Sequence, residues 1–194
     1  MVSFIYDLRY LQAGAEILED FLLSQDVYWP VGIQAPPGET PYPQLSLGGM
    51  ALAQARAQVH VNTQDEVKQL QRVLENIESA HQQWRSAWGG KAAYEMNARQ
   101  NQWRTYLEDY RENPQANYDR YRYEVFRRVI IALLASQVDR MREAEQEMLH
   151  GLDALVNTLL APSGFVWEAD LQKAFPHDPY WYLYGLLPKE IAHS

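Results

Sequence analysis

Cysteine is absent from this chain of 194 residues. That absence removes disulfides, thiolate nucleophiles and every cysteine-built zinc or iron–sulfur site. Long apolar runs are missing as well: the longest, Val129–Ala135, falls far short of the ~20 residues a membrane span needs. No basic stretch leads into an apolar core and a small-residue cleavage site near residue 1, so no secretory leader is expected and the chain reads as cytoplasmic. An excess of positive charge is also lacking. The net charge is −8, and even in the most basic stretch, Lys91–Arg128, acids interleave with bases as on a salt-bridged helix surface. Phosphate binding rests on local positive charge, so neither nucleic acid nor a membrane is expected as a partner.

Apolar surface is what the chain has in quantity. Hydrophobic residues make up 47%, with six Trp, thirteen Tyr and five Phe, a composition that rules out disorder. The length suits one domain, 1–194, burying about 70% of the surface its unfolded form exposes. Val67, Leu70, Leu74, Ile77, His81, Trp84 and Trp88 alternate spacings of three and four, one face of an α-helix. Similar stripes run through Phe4, Leu8, Leu11, Ala15, Leu18 and Leu22, and through Ala92, Met96, Trp103, Leu107 and Tyr110. The expected fold is an all-α helical bundle of about five helices, two of them long.

Local chemistry marks the boundaries. Thr63-Gln64-Asp65-Glu66 is a capping box: the Thr63 hydroxyl accepts from the Glu66 amide while the Glu66 carboxylate accepts from the Thr63 amide. The first helix is expected over Ser3–Leu23, with Gly14 marking a close helix contact. A short second helix covers Gly49–Val59. Gly89-Gly90 is expected to kink or end the third helix, and Asn113-Pro114 to close the fourth. The fifth is expected to run from near Asn117 to Leu160, bending at Gly151, with its all-round apolar centre the most buried element of the domain. Residues 25–47 hold Pro30, Pro36, Pro37, Pro41 and Pro43 beside Tyr28, Trp29, Val31, Ile33 and Tyr42. That mixture reads as a proline-rich crossover loop packed down on the core. Residues 163–194 form an aromatic C-terminal segment, in which Asp178-Pro179 starts a helical turn and Gly185 stops it.

Two arrangements carry chemistry. Glu78-Ser79-Ala80-His81 and Glu147-Met148-Leu149-His150 are both Glu-x-x-His tetrads, and two such tetrads with a glutamate from each of two further helices resemble the di-iron site of ferritin-like bundles. Glu16 or Glu19 and Glu95 or Glu108 would supply the further glutamates. Glu78 and His81 face the apolar stripe, but His150 falls opposite Met148 and Leu152, where Glu145 is the inward acid. No cofactor is expected unless that metal reading holds, in which case it is iron, manganese or zinc. The second arrangement is an arginine within an apolar stripe. Arg99 needs a partner, and Glu95 lies one turn earlier. Were Arg99, Arg127 and Trp103 to converge, they would form a pocket for a carboxylate or phosphate. Nucleophilic catalysis has no support: there is no Gly-x-Ser-x-Gly elbow, and His177-Asp178 has no serine partner.

The surplus of aromatic and long-helix surface points to a non-enzymatic interaction or scaffold protein, a homo-oligomer with a possible further protein partner. Trp167, Tyr180, Trp181 and Tyr184 are its expected interface. The alternative is a helical bundle that binds a ligand or metal through Glu78 and His81.

Overall fold

The computed structural model describes residues 3–138 and 141–190, and helices dominate it. Helix α1, Phe4–Glu16, begins where the Ser3 hydroxyl accepts the Tyr6 N–H at 3.1 Å. The apolar stripe continues to Leu22 as expected, but the helix does not: backbone at Ile17 leaves the helical region and α2 resumes over Leu18–Leu23. This one-residue step buries Leu18, Phe21 and Leu22 together. Gly14 sits where α1 crosses α3 (Leu47–His60), and a Cβ there would meet Leu45 Cδ1 at 2.8 Å and Met50 Sδ at 3.3 Å. The close contact implied by that glycine is present.

The proline-rich segment crosses back over the bundle and is packed down. Trp29 and Leu45 exchange backbone hydrogen bonds of 3.0 and 2.7 Å, Val31 and Leu45 are buried, and the Tyr42 ring lies 4.4 Å from that of Tyr6. Helix α4, Gln64–Gln83, opens with the complete capping box: the Glu66 carboxylate accepts the Thr63 N–H at 2.9 Å and the Asn62 N–H at 2.8 Å. The break after it falls at Trp84, and α5 (Arg85–Glu112) runs unbroken through Gly89 and Gly90. The glycines were expected to interrupt the chain here. Each weakens a helix by only about 1 kcal/mol, less than the continuous burial of Trp88, Ala92, Met96 and Trp103 contributes along the same helix.

Asn113 ends α5 and caps a short α6, Pro114–Asn117. The long fifth helix is instead divided into α7 (Tyr121–Glu124), α8 (Phe126–Ala135) and α9 (Glu143–Leu159). Ser136 and Gln137 terminate α8, and the Gln137 side chain accepts the Trp88 Nε1–H at 2.9 Å, so polar groups hold the chain where the apolar run ends. Gly151 lies inside α9 and marks no bend. Val125, Val129, Ile130, Ile131 and Leu134 are buried and α8 packs between α3 and α5, but it is not the most buried element: Ala132 and Leu133 are half-buried and Ala135 is exposed, whereas α1 buries eight of its 13 residues.

Beyond α9 the aromatic segment folds back on the bundle. Ala161–Pro162 pairs antiparallel with Gly185–Leu186, while the Tyr121 hydroxyl donates to Tyr182 O at 2.7 Å and the Tyr110 hydroxyl to Pro188 O at 2.8 Å. Phe175, Tyr182 and Leu183 are buried. Asp178-Pro179 is a cis peptide in a turn, not a helix start; the helical turn comes at Trp181–Leu183, and Gly185 belongs to the ribbon. Among the described residues no helix is long and apolar enough to cross a membrane.

Candidate functional site: a cavity between the first helices and the C-terminal segment

One face of α3 carries Gly49, Leu52, Arg56 and His60, spaced by three and four. That face lines a cavity of about 330 Å³, within the range of small-molecule sites. Tyr6 and Tyr10 of α1, the Pro43–Ser46 end of the crossover loop, Phe126 and Ile130 of α8, Arg99 of α5, and Trp167, Glu168 and Leu171 of the C-terminal segment complete the wall. Most of that surface is aromatic or aliphatic. Its polar groups are few and fixed.

Arg99 is the most constrained of them. Its Nε and Nη2 donate to Glu95 Oε1 at 3.1 and 3.0 Å, and Nη2 also reaches the Ser46 hydroxyl at 3.3 Å. The guanidinium lies against two rings, 4.9 Å from the Tyr28 centroid and 5.3 Å from that of Phe126. Glu95 is wholly buried, and its other oxygen accepts the Gly48 N–H at 2.8 Å. A carboxylate on α5 thus satisfies an otherwise orphaned amide at the start of α3. Gly48 is required for that approach, because a Cβ would collide with Ile130 Cγ2 and lie 2.9 Å from Glu95 Oε1.

Arg56 is held the same way, Nε and Nη2 gripping Asp7 at 3.2 and 2.6 Å. Burial pushes the Asp7 carboxyl up from its usual range, against the pull of Arg56. His60 Nε2 meets Asp170 Oδ2 at 3.0 Å, tying α3 to the C-terminal segment, and His60 Nδ1 is buried with no hydrogen-bond partner among the described residues. Burial holds the Tyr10 phenol far above its ordinary value, so it stays neutral and donates to Gln44 O at 3.0 Å. The Ser46 hydroxyl caps α3 by accepting the Gly49 N–H at 3.0 Å and has no hydrogen bond to His60.

No protein-family model, curated protein or solved structure matches the chain. The site therefore has to be read from its own geometry.

Of the residues expected to form an anion pocket, Arg99 lines the cavity and its partner is Glu95, as the spacing predicts. Arg127 and Trp103 do not line it. Arg127 pairs with Glu124 on its own helix turn, lies over the Phe126 ring at 4.9 Å, and is pushed down by burial and by the neighbouring Arg99 charge. Trp103 is wholly buried elsewhere, its ring centroid 5.5 Å from that of Tyr106. Arg128 pairs with Asp153 of α9 through two bonds of 2.8 Å. Sequence reasoning missed Arg56 and His60. Their partners lie 49 and 110 residues away, beyond any local pattern.

Glu78 and His81 lie on one turn of α4, 3.7 Å apart, with side chains 60% and 30% exposed. The His81 ring is tilted against that of Trp88, with centroids 4.4 Å apart. Glu147 and His150 are exposed and Glu145 is buried on the inward stripe of α9, as the periodicity predicts. Among the described residues no three His, Asp or Glu side chains gather closely enough to hold a metal ion.

Trp167, Tyr180, Trp181 and Tyr184 are half-buried against their own chain. Trp167 Nε1 donates to Arg122 O at 3.0 Å, the Tyr184 hydroxyl donates to Phe175 O at 2.8 Å, and Tyr180 meets Phe175 edge to face. More apolar surface is open on α4. Its 20 residues include only two buried ones, Leu70 and Val73, and a shallow groove runs along Val61, Val67, Leu70 and Leu74 with Val67 41% exposed.

Proposed function

We propose that this protein is a binding protein that holds a small, largely apolar molecule between α1, α3, α8 and the C-terminal segment. The observation that carries the reading is the cavity of about 330 Å³ with its aromatic and aliphatic wall and few, fixed polar groups. The hydrogen-bond partner of His60 is the Asp170 carboxylate, and the nearby Ser46 hydroxyl is occupied in capping α3. The test is titration with the neutral fluorescent probe N-phenyl-1-naphthylamine. Saturable binding that is abolished by Leu52→Trp, in a variant that still unfolds cooperatively, supports the reading; binding unchanged by that substitution rejects it.

A second reading, self-association in a cytoplasmic scaffold, is favoured by the open stripe on α4. The occupant that fits is a second copy of α4. Val67, Leu70 and Leu74 repeat at three and four residues, so the open stripes of two copies can lie against each other. Sedimentation distinguishes the outcomes: a dimer dissociated by Val67→Glu supports it, and a monomer at high micromolar concentration removes it.

A further inference from the structure

We infer that the molecule taken up by this cavity is an amphipathic carboxylate, its anionic head facing Arg99 and Arg56 and its apolar body lying against the aromatic wall. The inference rests on the binding reading above and adds the ligand's charge to it. Three cation-forming side chains, Arg56, His60 and Arg99, line the cavity, whereas the carboxylates that hold them, Asp7, Asp170 and Glu95, do not. Each guanidinium spends Nε and Nη2 on its protein partner, and Nη1 of neither makes a hydrogen bond among the described residues. Each therefore keeps at least the two Nη1 N–H donors free.

Such donors are pre-organised. Arg99 is held by Glu95 and Ser46 and packed against the Tyr28 and Phe126 rings, and Arg56 is clamped by a carboxylate that is itself wholly buried. Neither side chain loses much rotamer freedom on meeting an anion. One carboxylate, Glu168, lies on the lining, and it is exposed. Each arginine's charge is balanced by the acid behind it, so what the wall presents inward is unpaired N–H donors. A cationic ligand finds no free acceptor at those groups and is disfavoured there. A neutral apolar one binds more weakly, since it leaves the free N–H groups without acceptors.

His60 adds a constraint. A ring that donates Nε2–H to Asp170 presents its buried Nδ1 as a lone-pair acceptor. The cavity thus offers donors at the arginines and an acceptor one turn beyond Arg56, about 6 Å along α3 at 1.5 Å per residue. A single carboxylate matches this better than a dianion such as phosphate, whose further charge would face the His60 lone pair.

The experiment is calorimetric titration of the intact chain with three matched compounds: 4-phenylbutyrate, 4-phenylbutanamide and 4-phenylbutylamine. The expected result is binding of the carboxylate about tenfold or more tighter than the amide, with the amine weakest, and a smaller preference in Arg56→Gln. Arg99→Lys retains charge while losing the planar fork, and should narrow the carboxylate preference without abolishing it. Equal affinity for acid and amide would overturn the inference while leaving the cavity reading intact, since both compounds would still compete with N-phenyl-1-naphthylamine. Failure of all three compounds and of that neutral probe would overturn both.

Discussion

The Glu95 carboxylate accepts the backbone N–H of Gly48 at 2.8 Å, so one side chain of α5 joins Ser46 in capping the N-terminus of α3. The same carboxylate anchors Arg99. Core packing and the candidate site therefore share one buried group. Gly48→Ala would push a methyl into Ile130 and Glu95 and should lower stability by about 1–3 kcal/mol. Glu95→Gln keeps an acceptor for Gly48 but leaves Arg99 without a counter-charge, at a cost of about 3 kcal/mol. Urea denaturation of both variants checks the pair; a Gly48→Ala protein as stable as the parent would contradict the collision.

Gly89 and Gly90 should behave in the opposite way. Both lie inside α5, and a Cβ at either meets nothing within 4 Å. Gly89→Ala and Gly90→Ala are each expected to raise stability by about 0.5–1 kcal/mol, through higher helix propensity and a less flexible unfolded chain. A rise in melting temperature is the readout. A fall would mean that the glycines are needed for bending rather than tolerated.

Protonation should loosen the start of α4. Backbone donors, Asn62 first and then Thr63, hold the Glu66 carboxyl below its usual range and together outweigh the opposing effect of desolvation. A carboxyl lowered in the folded state contributes stability above its unfolded value, and loses it as pH falls through the lower folded value. Amide exchange in the first turn of α4 should therefore quicken, relative to a Glu66→Gln control, as pH drops below about 4. The control keeps a capping-box side chain that does not titrate. Identical exchange profiles in the two proteins would show that the carboxylate is not holding the turn.

His81 should matter through its ring. Tilted against Trp88 with centroids 4.4 Å apart and paired with the exposed Glu78, it contributes packing of about 1 kcal/mol. His81→Ala should lower the melting temperature by the same amount before and after treatment with a chelator. A stabilising effect of iron, manganese or zinc that disappears in His81→Ala would reinstate the metal reading.

What was legible in the sequence was local. The Thr63–Glu66 box, the Glu95–Arg99 pair at four residues' spacing and the burial of the Val125–Leu134 core each depend on groups within one or two turns. The helix breaks were less legible because glycine only weakens a helix. Surroundings decide whether that matters: Gly89 and Gly90 stay helical while Trp84, a better helix former, ends α4. The division of residues 117–160 escaped for the same reason, since Gln137 stops α8 by bonding to Trp88, 49 residues earlier. The site itself was legible through Arg99 alone. Arg56 reads in sequence as one more charge on an alanine-rich helix until α1 brings Asp7 to it.

The cavity wall is also distributed unevenly in time. Tyr6, Tyr10 and the α3 face leave the ribosome early, whereas Trp167 and Leu171 follow more than a hundred residues later, and the His60–Asp170 contact spans 110. A nascent chain that has not yet reached Leu171 carries Leu52, Phe126 and Ile130 without their final cover. Synthesis itself therefore opens an interval in which that apolar face is available to chaperones, or to the ligand, before the last segment shuts over it.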